Sequence, residues 1–140
     1  MLREPFMIRV GEAQGKGRGV FAQHRLRKGQ VIERAPVVVI PAAEVKYIEK
    51  TVLNAYVYTW GPNNDCALAL GLASIYNHSY EPNADFEKHL GEKVLVISAL
   101  RDIEEGEEIT INYNGPPEDQ TAIWFQGAGW GWHLESECRV

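Results

Sequence analysis

Only one segment of this chain is long and periodic enough to predict a helix, and this limits the fold more than any other feature. Residues 41–60, PAAEVKYIEKTVLNAYVYTW, place Pro41 in a first turn and Val45, Ile48, Val52 and Leu53 on an approximate apolar face. Almost everything else is short extended runs cut by glycine and proline. MIRV and VFAQHRL read as strands on either side of GEAQGKGRG, and RKG reads as a turn. QVIERAPVVVI is extended, with Pro36 marking an edge, a bulge or a break. CALALGLASIY is apolar on all sides and too short to span a membrane, so it is a buried strand or helix. KVLVISAL, β-branched and without alternation, is a central strand. EITINYN alternates, with Ile109, Ile111 and Tyr113 on one face and Thr110 and Asn112 on the other. Many short strands and little helix predict a mainly β architecture, and 140 residues suit a single domain.

The net charge of −5 argues against a general nucleic-acid binder, whose affinity rests on neutralising phosphates. An acidic surface suits a basic protein or peptide as partner instead. Cys66 and Cys138 form no disulfide framework and no paired metal-ligand spacing, so both are expected as reduced thiols. His24, His78, His89 and His133 lack zinc-site spacing, and no metal is expected. No run is long enough to cross a bilayer, and MLREPFMIRV lacks the apolar core of a signal peptide. The expected location is therefore intracellular.

Residues 73–86, ASIYNHSYEPNADF, raise a chemical question. An apolar run ends in three hydrogen-bonding side chains, Asn77, His78 and Ser79, before Pro82-Asn83 and Phe86. Burying such groups costs free energy unless each finds a partner. His78 and Ser79 are not a nucleophilic pair, because neighbours on an extended chain point to opposite faces. Asn77 and His78 either hold a polar ligand through side chain and backbone or form a turn satisfied internally. The glycine cluster GKGRGVFA (15–22) is not a dinucleotide fingerprint, since position 20 is valine, and Lys16 is followed by Gly17 rather than the Ser or Thr of a phosphate loop. Gly15, Gly17 and Gly19 make a hairpin turn with positive φ or let backbone approach a ligand, and on this segment alone the turn is preferred. Tyr113 continues an apolar face, so it reads as a core tyrosine whose hydroxyl needs a partner.

Taken together and in this order, GKGRGVFA, YNHSYEPNA and GEEITINY resemble the three signature segments of the SET-domain protein-lysine N-methyltransferases. The first segment is weak alone; the second and third, about thirty residues apart, are specific. The resemblance runs from roughly Ile8 to Tyr113 and implies a mainly β, β-clip-like fold of several small twisted sheets, with a threaded pseudoknot and one short helical insertion. It implies one near-minimal SET domain over residues 1–140, with a core of about 8–113 and an aromatic tail of about 114–140.

The same resemblance implies methyl transfer from S-adenosylmethionine to a lysine of a basic protein. Asn77 and His78 would contact that cofactor, as would the main chain of Lys16, Gly17 and Arg18, with Tyr113 beside it. Tyr113 matches the catalytic tyrosine. Tyr58 matches a second active-site tyrosine, a place for which Tyr56 competes. Tyr58, Phe86 and Tyr113 would line the channel for the substrate lysine, and phenylalanine at 86 leaves room for di- or trimethylation. The tail departs from relatives that carry a cysteine-rich zinc segment, so Phe125 or Trp124 would cover the adenine instead. That tail also offers a surface through which two copies could pair as a homodimer. The competing expectation is a catalytically silent SET domain that binds a lysine-bearing peptide, and the presence of Asn77, His78 and Tyr113 counts against it.

Overall fold

The computed structural model describes residues 7–123. In chain order it contains β1 (Ile8–Ala13), β2 (Gly17–Ala22), β3 (Val31–Ile40), α1 (Ala42–Ile48) and a 3-10 turn (Val52–Ala55). β4 (Val57–Trp60), β5 (Asp65–Ala69), β6 (Asn77–His78), β7 (Ala84–His89), β8 (Val94–Ala99) and β9 (Glu108–Ile111) follow. The strands form a four-stranded sheet of order β1-β2-β9-β6 and a five-stranded sheet of order β4-β5-β3-β8-β7. Among the described residues the protein is mainly β with one short helix, as the punctuation of the sequence implies. Its core is made by the inward faces of both sheets, with Val20, Leu26, Leu95, Ile97, Ile103 and Ile109 almost completely shielded from solvent.

The predicted helix over 41–60 is cut short at Ile48. Val52 and Leu53, expected on its apolar face, are exposed. Residues 57–60 become a strand instead, pairing Val57 with Leu68 and Trp60 with Asp65 on β5. The segment VYTW is β-branched and aromatic, and a neighbouring strand outweighs a marginal helical period. Residues 66–76 resolve into the end of β5 followed by turns at 71–75. Pro36 does not break β3. It falls where that strand changes neighbours, from β8 over Val31–Pro36 to β5 over Val37–Ile40. The irregularity lies earlier, as a bulge between Val31 and Glu33. β8 is central, between β3 and β7.

The segment after Tyr76 is laced into the C-terminal part of the fold. β6 lies parallel to β9, with Asn77 opposite Thr110 and His78 opposite Ile111. The Ser79 amide donates to the Ile111 carbonyl (2.9 Å), and the Tyr80 hydroxyl reaches the Thr121 carbonyl (3.1 Å). Thr110 and Asn112 are buried along with Ile109 and Ile111, so β9 is covered on both faces. Alternation in EITINYN thus marks the strand without marking a solvent side. Cys66 is buried, and Cys138 lies outside the described residues. Among the described residues no helix is long and apolar enough to cross a membrane.

Candidate active site

The first corner of the site is polar and forms where β2, β6 and β9 meet. Gly15 and Gly17 take positive φ values of 75° and 74° and so make the turn that opens β2. Gly19 acts differently. A Cβ there would lie 2.5 Å from Glu108 Oε2 and 2.9 Å from Asn77 Nδ2, so the missing side chain lets the three strands close up. Asn77 then donates twice, to the Arg18 carbonyl (2.9 Å) and to Glu108 Oε2 (2.7 Å). Glu108 Oε1 pairs with Lys16 Nζ at 2.9 Å. Lys16, Arg18, Asn77 and Glu108 are therefore one connected group. Asn83, also buried, pins the same strand from the other side: its amide donates to the Glu108 carbonyl (2.7 Å), and its oxygen accepts from the Thr110 amide (2.8 Å).

His78 links this corner to the second. Its Nδ1 accepts a hydrogen bond from the Tyr113 amide at 3.0 Å, and the two rings are tilted with centroids 5.3 Å apart. Only an unprotonated Nδ1 can accept. Desolvation, and then the Lys16 ammonium, hold the imidazole below its ordinary range, which keeps it in the accepting form.

The second corner is aromatic. The Tyr113 hydroxyl donates to the Tyr76 carbonyl at 2.6 Å, and the buried Tyr58 hydroxyl donates to the Ala73 carbonyl at 2.5 Å. Phe86 packs edge-on against Tyr58 with ring centroids 5.4 Å apart. Burial raises both phenols well above the ordinary tyrosine range, and the charge of Glu108 raises Tyr113 further. Tyr56 is half-buried and, like Tyr58, close enough to interact with Tyr113 electrostatically. Phe86 and Tyr113 open onto a cleft of about 530 Å³ shared with Thr59, Lys88 and Asn114. Lys88 bridges its mouth from β7 to β4, with Nζ 2.8 Å from Thr59 Oγ1.

The structure brings together Lys16, Gly17, Arg18, Asn77 and His78 on one side, and Tyr58, Phe86 and Tyr113 on the other. Trp124 and Phe125 lie outside the described residues. Among those residues no group of three or more His, Cys, Asp or Glu is placed to hold a metal. Sequence reasoning missed Glu33, Glu108 and Lys88. Glu108 sits inside GEEITINY, and its place in that segment was the signal that could have found it. Glu33 and Lys88 look like ordinary charged residues on strands, so nothing local distinguished them.

Residues 17–114 match the SET domain family. The chain is 34% identical over 127 residues to a Schizosaccharomyces pombe protein named histone-lysine N-methyltransferase, H3 lysine-37 specific, covering 90% of this chain and 80% of that one. It is 33% identical over 112 residues to human histone-lysine N-methyltransferase 2B, covering 74% of this chain but only 4% of that protein. Among solved structures, a Plasmodium falciparum protein assigned as a histone methyltransferase superposes with a TM-score of 0.67 at 29% identity, over 88% of this chain and all of that one. The family match covers most of the chain, and the signature segments converge on one site. The chain belongs to the SET-domain protein-lysine methyltransferases, enzymes that use S-adenosylmethionine as their methyl donor.

Proposed function

We propose that this chain methylates a lysine of a histone-like basic protein, carrying it to the di- or trimethyl state. The observation that carries the reading is Tyr113. Its amide is bonded to His78 in the polar corner, while its ring and hydroxyl belong to the aromatic cleft. The class of substrate is taken from the names of the relatives, one of which is specific for histone H3. A histone substrate implies action inside the cell, in the nucleus of a eukaryote. The whole of residues 1–140 is taken as one SET domain, and pairing into a homodimer is left to a light-scattering measurement.

The residues fit the cofactor. Both tyrosine hydroxyls give their protons to backbone carbonyls, so each faces its surroundings as an acceptor. The exposed start of β2 adds main chain free of crowding at Gly17. Acceptors and open backbone suit a ligand that carries positive charge. S-adenosylmethionine supplies a methyl group on a cationic sulfonium. In this assignment the main chain of Lys16, Gly17 and Arg18 holds the donor together with Asn77 and His78.

Tyr113 and Tyr58 act by orientation. Their phenols stay protonated because burial disfavours the phenolate, which removes them as bulk bases. The incoming lysine must lose a proton, which costs on the order of 4 kcal/mol for a free amine of pKa ~10.4 at neutral pH. The cleft lowers that cost. Burial beside the cleft likewise brings the Lys88 amine down from 10.5 to about 8. Aromatic faces around the nitrogen also favour the methylated cation. Phe86 carries no hydroxyl, which leaves space for a second and third methyl group.

The test is calorimetric titration of S-adenosylmethionine into wild type and Asn77→Ala, followed by mass spectrometry of histone H3 treated with the wild type. Cofactor binding that the substitution weakens, with additions of two or three methyl groups, is the expected result. A folded wild type that binds no cofactor overturns the enzyme reading. Addition of a single methyl group only overturns the assignment of Phe86.

A further inference from the structure

We propose that Glu33 is the positioning residue that aims both active-site tyrosines, acting through residues 71–76 between β5 and β6. The proposal rests on the methyltransferase reading and adds a residue to it. Glu33 lies on β3, immediately after the bulge that disturbs its alternation, so that Ile32 is buried and Glu33 half-buried side by side. One carboxylate oxygen, Oε2, accepts the Leu72 amide at 2.8 Å. The other, Oε1, accepts the Tyr76 hydroxyl at 2.9 Å. Between and at these two anchors are the carbonyls that hold the tyrosines: Ala73 for Tyr58 and Tyr76 for Tyr113. A single side chain on a different strand thus fixes both acceptors.

Two further observations support the assignment. Gly71 has a φ of +67°, and a Cβ there would run into Glu33 Oε2, so the turn is shaped to admit the carboxylate. Among the described residues the other main-chain and serine bonds of the segment are local, with the Ile75 amide on the Leu72 carbonyl and the Ser74 hydroxyl on the Ala69 carbonyl. The Leu70 amide, on the Pro36 carbonyl at 2.9 Å, fixes only the entry to the segment on β3. Glu33 ties the segment itself to that strand. Burial disfavours its ionised form, while the Leu72 amide and the Tyr76 hydroxyl favour it, so the carboxylate is held where two donors converge.

Reacting groups tolerate little displacement, and a shift of about 1 Å can cost ~10²-fold in rate. Glu33→Ala should therefore lower kcat by ~10- to 100-fold while cofactor affinity stays within about threefold, because the polar corner is untouched. Tyr76→Phe removes one anchor and should lower kcat by a smaller factor, with cofactor affinity again unchanged. Glu33→Gln should recover most of the rate, since its oxygen can accept from Leu72 and its amide can donate to a reoriented Tyr76 hydroxyl.

A merely structural residue would lower thermal stability without splitting kcat from cofactor affinity. The second readout needs no cofactor: the ring-carbon NMR signals of Tyr58, Tyr76 and Tyr113 in the cofactor-free protein should shift in Glu33→Ala, while those of Tyr47 do not. Wild-type kcat in both Glu33→Ala and Tyr76→Phe, or unmoved Tyr58 and Tyr113 signals, overturns the proposal. If Glu33→Ala does not fold, Tyr76→Phe decides alone: reduced kcat at unchanged cofactor affinity supports it, and wild-type kcat overturns it. If the wild type transfers no methyl group, the methyltransferase reading fails separately. The NMR signals then still decide whether Glu33 aims the tyrosines.

Discussion

The two corners of the site are built by opposite devices. In the polar corner, side chains hold side chains and main chain: Lys16, Glu108 and Asn77 form a chain of charge and amide that ends on the Arg18 carbonyl. In the aromatic corner, the main chain holds side chains, with two carbonyls capturing two phenols. Side-chain networks leave backbone available, which suits holding a large polar molecule along a strand. Backbone acceptors set hydroxyls with little freedom, which suits aiming them at a reacting atom. His78 joins the two through one bond to the Tyr113 amide.

The comparison is most severely tested at Tyr113. Tyr113→Phe removes the hydroxyl from the aromatic corner alone, so turnover should fall by ~10²- to 10⁴-fold with cofactor affinity nearly unchanged, and stability should drop by only about 1 kcal/mol for the bond lost to the Tyr76 carbonyl. Equal losses in rate and affinity would mean that the two corners are not separable.

Asn77→Ala attacks the other corner. It strips two hydrogen bonds and leaves Glu108 Oε2 without its amide partner, so stability should fall by about 1–3 kcal/mol in urea unfolding. Cofactor affinity should fall with it, by ~10- to 100-fold, which is the free energy of one or two such bonds.

The link at His78 is testable by pH. Its imidazole titrates below the ordinary 6.5 in the folded protein, so between 6.5 and that lower value the unfolded chain binds more protons. Stability should therefore decline as pH falls through this window and level off below it. Turnover should fall through an ionisation on the same acid limb, as a protonated Nδ1 can no longer accept from Tyr113. A rate profile with no acid-limb ionisation below 6.5 would remove His78 as the joint.

The smallest effect belongs to Lys16→Ala. Its partner Glu108 keeps the Asn77 bond, and a half-exposed ion pair contributes about 0–1 kcal/mol. The same substitution removes a positive charge near His78, so the acid limb of the rate profile should move to higher pH. A shift in the opposite direction would break the electrostatic account of the polar corner.

Much of this site was legible before any coordinates. The signature segments pointed to Asn77, His78 and Tyr113, and the stretch 73–86 already asked where its polar groups go. The structure answers with Arg18, Glu108 and the Tyr113 amide, partners between 31 and 59 residues away for Asn77 and 35 away for His78. Such pairings leave no local trace. The predicted helix over 41–60 failed for the same reason, because β4 exists only once β5 is beside it. Gly19 could be read as a turn residue from its neighbours, yet it is the packing of Glu108 and Asn77 against it that forbids a side chain.

By itself the amino-acid order determined the strand-rich class and the family, since both depend on residue type and spacing along the chain. Tertiary structure alone decided that Glu33 reaches under the 71–76 segment, that Lys88 spans from β7 to Thr59, and that β9 is buried on both faces. The physical reason is common to all three. A charged residue on a strand is solvated by default, and only the closure of distant strands removes its water and gives it a partner.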